Sequence, residues 1–441
     1  MRFTIYPWKL KAWRESFQVA GMPGFALFAL LLGAIFQVAD STQGGGGHSN
    51  KLVILLVRAP LALAALLIVL YKPRFARVSL TDARFVFFLF AFLFTASTIW
   101  SAHRVITLGK SLEIGLVCLV FLQVSRTGNP LERVEALRHI ILLTIAAVAF
   151  VTVLGYLAHI QAFVQQRPGI FTKTTAQAPF LSGNGLGYVA SALFLVVLAE
   201  WQAKRIRRNS AFLQMAFAMF IFAFAASRTS FGILVLSVLL VILRKSKIAA
   251  LLSFAAIALV IAMSWQTVVT HLQGNESAGS FETLSGRTVV WTAALRQWKT
   301  SPILGAGGGV GGKVVVENVG DQYLEQMSSV HDGFLELLTG LGAVGFVLGL
   351  YLLISVTWKA WTNWRYHPEY SGTYVLIVHV WLTTLMSTGA LGWMGYEMAL
   401  FLCIVTNVDL LRRHKARVAA RAVYAPIPDA ELVPQLTMAM K

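Results

Sequence analysis

Along this chain apolar residues gather in unbroken blocks, with the polar residues collected in short segments between them. Blocks read as crossing a hydrocarbon core of roughly 30 Å fall at 23–39, 52–71, 85–100, 105–124, 139–159, 185–201, 211–226, 230–243, 248–264, 333–358, 372–388 and 391–411. Inside lipid every backbone donor and acceptor must be satisfied within the segment, which only a helix or a closed barrel achieves. Barrel strands alternate apolar and polar residues, and these blocks do not. The pattern therefore predicts an all-α polytopic membrane protein with about twelve transmembrane helices.

Composition agrees and adds one question. Of 441 residues 57% are hydrophobic and 13% charged, with a mean hydropathy of +0.69, outside the range of soluble domains. The net charge of +18 would suggest nucleic acid in a soluble protein, so the placement of the Lys and Arg residues matters. They cluster at 2–14, 72–84, 126–138, 204–208, 244–247, 359–365 and 412–417. With an even number of spans these segments share one face, which the positive-inside rule makes cytoplasmic, together with both termini. The charge is a topology signal, and no nucleic-acid partner is expected. A basic N-terminus before an apolar run resembles a signal peptide, but no small-residue cleavage pattern follows Gln37-Val38-Ala39, so the run is read as a retained span. Cys118 and Cys403 both lie inside apolar blocks, which argues against a disulfide framework or a Cys-based metal site.

The same alternation leaves one long segment outside, between the ninth and tenth spans. It divides the chain into helices 1–9 (1–264), an outer loop (265–330), helices 10–12 (331–411) and a cytoplasmic tail (412–441). Loops of that length usually carry function. Within it Val290, Trp291, Ala294, Leu295 and Trp298 recur at helical spacing. They predict an amphipathic helix along the outer membrane surface, either capping the bundle or guiding lipid.

Ionisable residues within spans are costly and point to function. Arg58, Lys110, Glu113, Glu336 and Glu397 all come within about two turns of the predicted outer surface, a shared depth that suggests a hydrated cavity opening outward. Lys110 and Glu113, three residues apart, could instead pair along their own helix. His379, near mid-span, is read as a satisfied packing histidine. Three outer cations stand against the topology rule: Arg228 in Ser227-Arg228-Thr229-Ser230, Arg287 in Ser285-Gly286-Arg287-Thr288, and His331 in Val330-His331-Asp332-Gly333. Arginine keeps its charge and presents a fork matched to phosphate oxygens. A histidine beside it titrates near neutrality and can act as general base or acid. The run from Gly307 to Lys313 imitates a nucleotide-binding loop, but no Ser or Thr follows the lysine and no convincing strand precedes it, so it is read as a flexible or tightly turning glycine segment. Glu317, Asp321 and Glu325 recur every four residues, as either a solvated helix face or a candidate metal site.

Taken in order, Ser227-Arg228-Thr229, Gly286-Arg287 with Trp291, Pro302-Ile303-Leu304-Gly305-Ala306-Gly307, and His331-Asp332-Gly333-Phe334-Leu335-Glu336 with Gly340, Gly342 and Gly345 resemble the O-antigen ligase and polymerase superfamily. Trp100-Ser101 and Gly183-Asn184-Gly185-Leu186-Gly187 are similar to further pieces of it, while Asp332 stands where the family usually has Asn or Ser. The resemblance implies a GT-C-type glycosyltransferase architecture in the bacterial inner membrane, with the outer loop periplasmic. It implies transfer of a glycan from undecaprenyl pyrophosphate to a lipid A-core hydroxyl by direct inverting attack. In that chemistry Arg228 and Arg287 would stabilise the pyrophosphate leaving group and His331 would deprotonate the acceptor, with Arg58, Lys110, Glu113, Asn184, Glu336 and Glu397 in supporting places. No cofactor is implied, and no metal, the two arginines taking a cation's place. Within the superfamily a polymerase uses a second lipid-linked glycan as acceptor; the compact outer region favours the ligase. A transporter or flippase would also have about twelve spans, but would place its polar groups near mid-membrane.

Overall fold

The computed structural model describes residues 10–38, 47–126, 128–165, 175–176, 183–225, 227–245, 287–319, 330–367, 371–386, 389–392 and 395–423, with 248, 251, 252 and 255. Its helices follow the apolar blocks. In chain order they are α1 (Leu10–Ala20), α2 (Met22–Val38), α3 (Gly47–Tyr71), α4 (Ala83–Ala96), α5 (Arg104–Val124), α6 (Pro130–Leu157), α7 (Gly183–Gln202), α8 (Arg208–Ala223) and α9 (Arg228–Lys245). After the outer loop's α10 (Arg287–Thr300) and α11 (Gly311–Val319) come α12 (Gly333–Tyr366), α13 (Ser371–Met386), the single turn α14 (Gly389–Gly392) and α15 (Tyr396–Val423). One small departure from an all-α chain is an antiparallel two-residue ladder, Val164 opposite Ala176 and Gln165 opposite Thr175.

The chain is a polytopic helical membrane protein. Arg104–Val124, Pro130–Leu157, Gly183–Gln202 and Gly333–Trp364 are long and apolar enough to cross a membrane singly, and Arg58–Tyr71, Ala83–Ile99, Thr229–Leu243 and Ser371–Met386 are shorter apolar helices. The expected first span, 23–39, corresponds to α2; an unexpected helix, α1, precedes it and is bent from it by 116° about Gly21, whose φ of +63° suits glycine. The expected ninth span, 248–264, lies outside the described residues except for 248, 251, 252 and 255.

The expected tenth span is the most altered. Gly342 has φ 65° and ψ −165°, and the helix breaks there. Phe334 and Phe346 stack with ring centroids 6.1 Å apart, where twelve residues of straight helix would separate them by about 18 Å. The first part, 333–341, therefore folds back on the second. Such a break exposes backbone groups at both new helix ends, and the segment 302–307 satisfies them. Ala343 and Val344 donate to the carbonyls of Pro302 (2.8 Å) and Ile303 (3.3 Å), while Ala306 and Gly307 donate to those of Thr339 (2.9 Å) and Gly340 (2.7 Å). Two backbones this close leave no room for side chains. A Cβ on Gly305 would overlap the Gly340 carbonyl, and one on Gly342 would overlap that of Ile303.

The glycine run continues this seam. Gly305, Gly307 and Gly309 all have positive φ. Gly308 donates to Ser97 Oγ (2.8 Å) and accepts from Thr107 Oγ1 (3.1 Å), Ala102 donates to the Ala306 carbonyl (2.9 Å), Trp100 Nε1 donates to Leu304 (3.1 Å), and Lys110 Nζ bonds the Gly309 carbonyl. The segment is thus tightly turned and fixed between α4–α5 and the α12 break, and its glycines serve packing.

The opposite, basic end of the bundle holds two buried ion clusters. Arg138 is fully buried on α6 and pairs with Glu135 and with Glu200 of α7 (3.4 Å); Arg205 reaches Glu200 at 2.9 Å and Glu135 at 3.6 Å. Arg84 pairs with Asp82 (3.0 Å) and Asp409 of α15 (3.4 Å), and Arg413 pairs with Asp82. His379 is also fully buried, 6.5 Å ring to ring from Tyr396, but neither ring nitrogen has a hydrogen-bond partner among the described residues. It is packed without being satisfied, a correction to the expectation.

Candidate functional site

The outer loop delivers its residues through a small apolar nucleus. Val290 and Ala294 of α10 bury against Val315 of α11 and against Val330, with Trp291 and Leu335 packed around them. A helix therefore forms over the predicted residues and turns Val290 and Ala294 onto the mouth of α12. Trp291 Nε1 donates to the Val330 carbonyl at 3.1 Å, which ties α10 to the residue before His331.

His331 has φ +54°, an uncommon conformation for a non-glycine residue and a costly one unless its surroundings impose it. Here they do. On one side Asp332 caps α12, its Oδ1 accepting from Phe334 and Leu335 at 2.9 Å each. On the other, Val330 donates its N–H to Glu336 Oε1 at 2.9 Å. The second oxygen of Glu336 accepts from Gly312 at 2.9 Å, so this buried carboxylate joins the glycine seam to the histidine turn.

Arg287 opens α10, half-buried, with Nη1 3.5 Å from the Met386 carbonyl at the end of α13. It is close enough to Asp332 to act on it electrostatically. Burial pushes the Asp332 carboxyl above its ordinary range, opposed by the two cap hydrogen bonds and by the Arg287 guanidinium. Trp291, one turn after Arg287 on α10, bonds the Val330 carbonyl, which brings the start of this helix to the His331 turn.

Arg228 is the first residue of α9. The turn before it packs on the start of α7: Ser230 Oγ donates to the Asn184 carbonyl (3.3 Å), Ser230 N–H donates to Ser227 Oγ (3.0 Å), and a Cβ on Gly187 would meet Ser230 Oγ at 2.6 Å. Two separate sequence pieces, 183–187 and 227–230, thus join. Helix α13 relates them to the histidine. Ser371 Oγ, at its start, donates to Ala199 near the end of α7 (3.1 Å), so the two helices run antiparallel and Met386 lies at the end where α7 begins. Arg228, Arg287 and His331 accordingly stand on elements that share one end of the bundle.

The expected outward cavity of supporting charges takes another form. Arg58 and Glu113 pair with each other, Lys110 bonds the Gly309 carbonyl rather than Glu113, and Glu336 binds two backbone amides. Lys110 and Glu336 thus staple the loop to the bundle, while the Arg58–Glu113 pair joins α3 to α5. Glu397 lies half-buried in the first turn of α15, and Asn184 is exposed on α7. Glu317 pairs with His103 (2.8 Å) and Lys313 (3.7 Å), while Asp321 and Glu325 lie outside the described residues. A cavity of about 510 Å³ between α10 and α11 is lined by Thr292, Arg296, Gln297 and Asn318. Arg296 follows Arg287 by nine positions, about half a turn out of phase, so that cavity faces away from the histidine.

Residues 213–350 match the family model described as O-antigen ligase. That stretch, 138 of the 441 residues, is what the chain shares with the O-antigen ligase family. No curated protein matches the chain. The matched region contains Arg228, Arg287, His331, Glu336 and the whole 302–307 seam, whereas Arg58, Lys110, Glu113, Asn184 and Glu397 lie outside it. Sequence reasoning missed Ser97 and Thr107, which hold the seam, because hydroxyls near a span end carry no pattern. It also missed Asp82, Glu135, Glu200 and Asp409, whose signal was present: the first two stand inside basic flanks and the last two at the ends of apolar blocks beside them.

Proposed function

We propose that this chain is an O-antigen ligase, transferring a polysaccharide from undecaprenyl pyrophosphate to a lipid A-core sugar hydroxyl. The observation that supports the reading most is the tie of α10, which Arg287 opens, to the strained His331 turn through the Trp291–Val330 bond, inside the region that matches the ligase family. In this reading the bundle has twelve spans in a GT-C-type arrangement. Both termini and the tail 412–441 are cytoplasmic, and the loop 265–330 is periplasmic, in the inner membrane. The polysaccharide leaves pyrophosphate by inverting attack. Negative charge develops on the leaving group, where Arg228 and Arg287 stabilise it, a contribution of about 3–4 kcal/mol for each lost contact. His331 takes the proton of the attacking hydroxyl, worth roughly 100-fold to 10,000-fold.

The test is reconstitution of the full chain in proteoliposomes with a synthetic lipid-pyrophosphate glycan donor. Transfer to lipid A-core is expected. Transfer only to a second lipid-linked glycan would make the chain a polymerase, and uptake without transfer would retire the reading. Saturating chelator is expected to leave the rate unchanged; loss restored by magnesium or manganese would overturn the metal-independent mechanism.

A further inference from the structure

We infer that Glu336 and Trp291 are positioning residues for the His331 imidazole, which they fix by gripping Val330 from both sides. The inference rests on the reading of His331 as general base. A base must sit within hydrogen-bond reach of the proton it removes, and a misplacement of about 1 Å can cost on the order of 100-fold. His331 is poorly suited to hold itself in place, because its φ of +54° is disfavoured for a residue with a Cβ. Its stability there must come from its neighbours.

The neighbours are specific. Side chains on a helix lean toward the N-terminus, so Glu336, in the first turn of α12, reaches back over that end. It accepts the Val330 N–H at 2.9 Å while its own N–H donates to the Asp332 carbonyl at 2.9 Å. The backbone bond is the ordinary first bond of the helix, and the carboxylate adds to it a clamp that reaches back past the Asp332 cap and His331 to Val330. Trp291 Nε1 holds the Val330 carbonyl at 3.1 Å, and that carbonyl belongs to the peptide leading into His331. Because Trp291 stands one turn after Arg287 on α10, the same helix sets the distance between the arginine and the histidine. Glu336 also binds Gly312, so the glycine seam and the base move as one unit. Trp291 lacks a backbone-structural role of that kind and separates positioning from folding.

The experiment measures transfer by full-length chain in proteoliposomes for wild type, Trp291→Phe, Glu336→Gln and His331→Ala, recording kcat, the donor KM and thermal stability. Trp291→Phe keeps a ring in the apolar nucleus but removes the donor. It is expected to lower kcat about 10-fold with donor KM within about twofold and stability unchanged. Glu336→Gln replaces one acceptor oxygen with a donor facing a backbone N–H, and is expected to lower kcat about 100-fold. Wild-type kcat in Trp291→Phe would overturn the inference, as would a loss confined to donor KM. If Glu336→Gln does not fold, Trp291→Phe decides alone. Full transfer by His331→Ala would instead sink the function proposed above, whereas an inactive His331→Ala beside a fully active Trp291→Phe sinks only this inference.

Discussion

The arginines of the basic end and Arg287 of the outer loop are held in opposite ways, with Arg58, paired to Glu113 near the outer end, resembling the first group. At the basic end Arg84, Arg138 and Arg205 each pair with carboxylates that are themselves buried. Taking such charges out of water is costly, and the cost is offset only where geometry and further hydrogen bonds complete the set. In the matched region the carboxylates serve backbone: buried Glu336 binds Val330 and Gly312, and half-buried Asp332 the first turn of α12. Arg287 has a carbonyl at 3.5 Å and Asp332 within electrostatic reach. The lesson is that one residue type serves assembly where its charge is matched inside the protein, and remains suited to an anionic ligand where the nearby acids are committed elsewhere.

This contrast can be broken most strongly at the basic end. Arg138→Ala leaves Glu135 and Glu200 buried without their shared partner and should destabilise the chain by about 3–5 kcal/mol, seen as lost folded yield and early thermal aggregation in detergent. Molecules that do fold should keep normal kcat; a dead but stable variant would erase the distinction between the ends. The reverse is expected at the loop end. His331→Ala, Arg228→Ala and Arg287→Ala should insert and melt like wild type but lose roughly 100-fold to 1,000-fold in transfer. A marked loss of stability in all three would make them structural.

A smaller effect tests the seam that carries the loop end. Gly342→Ala adds a Cβ against the Ile303 carbonyl at a positive φ, and should cost about 1–3 kcal/mol together with part of the activity, because the helix bearing Glu336 must shift. A neutral result by thermal melting would mean that the α12 break tolerates side chains. The smallest change is expected from Asp332→Asn. Asn caps helices about as well as Asp, so stability near neutral pH should change by less than about 0.5 kcal/mol. Burial raises the Asp332 carboxyl, so the folded chain binds this proton more readily than the unfolded chain. That contribution favours folding at acidic pH and fades as pH rises through the folded value. The variant should flatten that part of the stability profile and leave the rest.

Much of this was readable from one sequence, for reasons that differ by residue. Lipid leaves the backbone so few options that an apolar block is already a helix, and α5, α7 and α13 begin and end within a few residues of their blocks. The arginines and histidine of the loop end stood out because they oppose the charge rule. What the sequence could not determine was partnership. Lys110 and Glu113 sit one turn apart, yet Lys110 turns to Gly309 and Glu113 to Arg58, since side-chain choice depends on what the fold brings near. The break at Gly342 was equally hidden. An apolar run reads the same whether it is straight or folded back, and only the carbonyls and amides of 302–307, arriving from the outer loop, make the folded form stable. Local patterning set where helices form and which end is basic; contacts distant in sequence decided how the histidine is held.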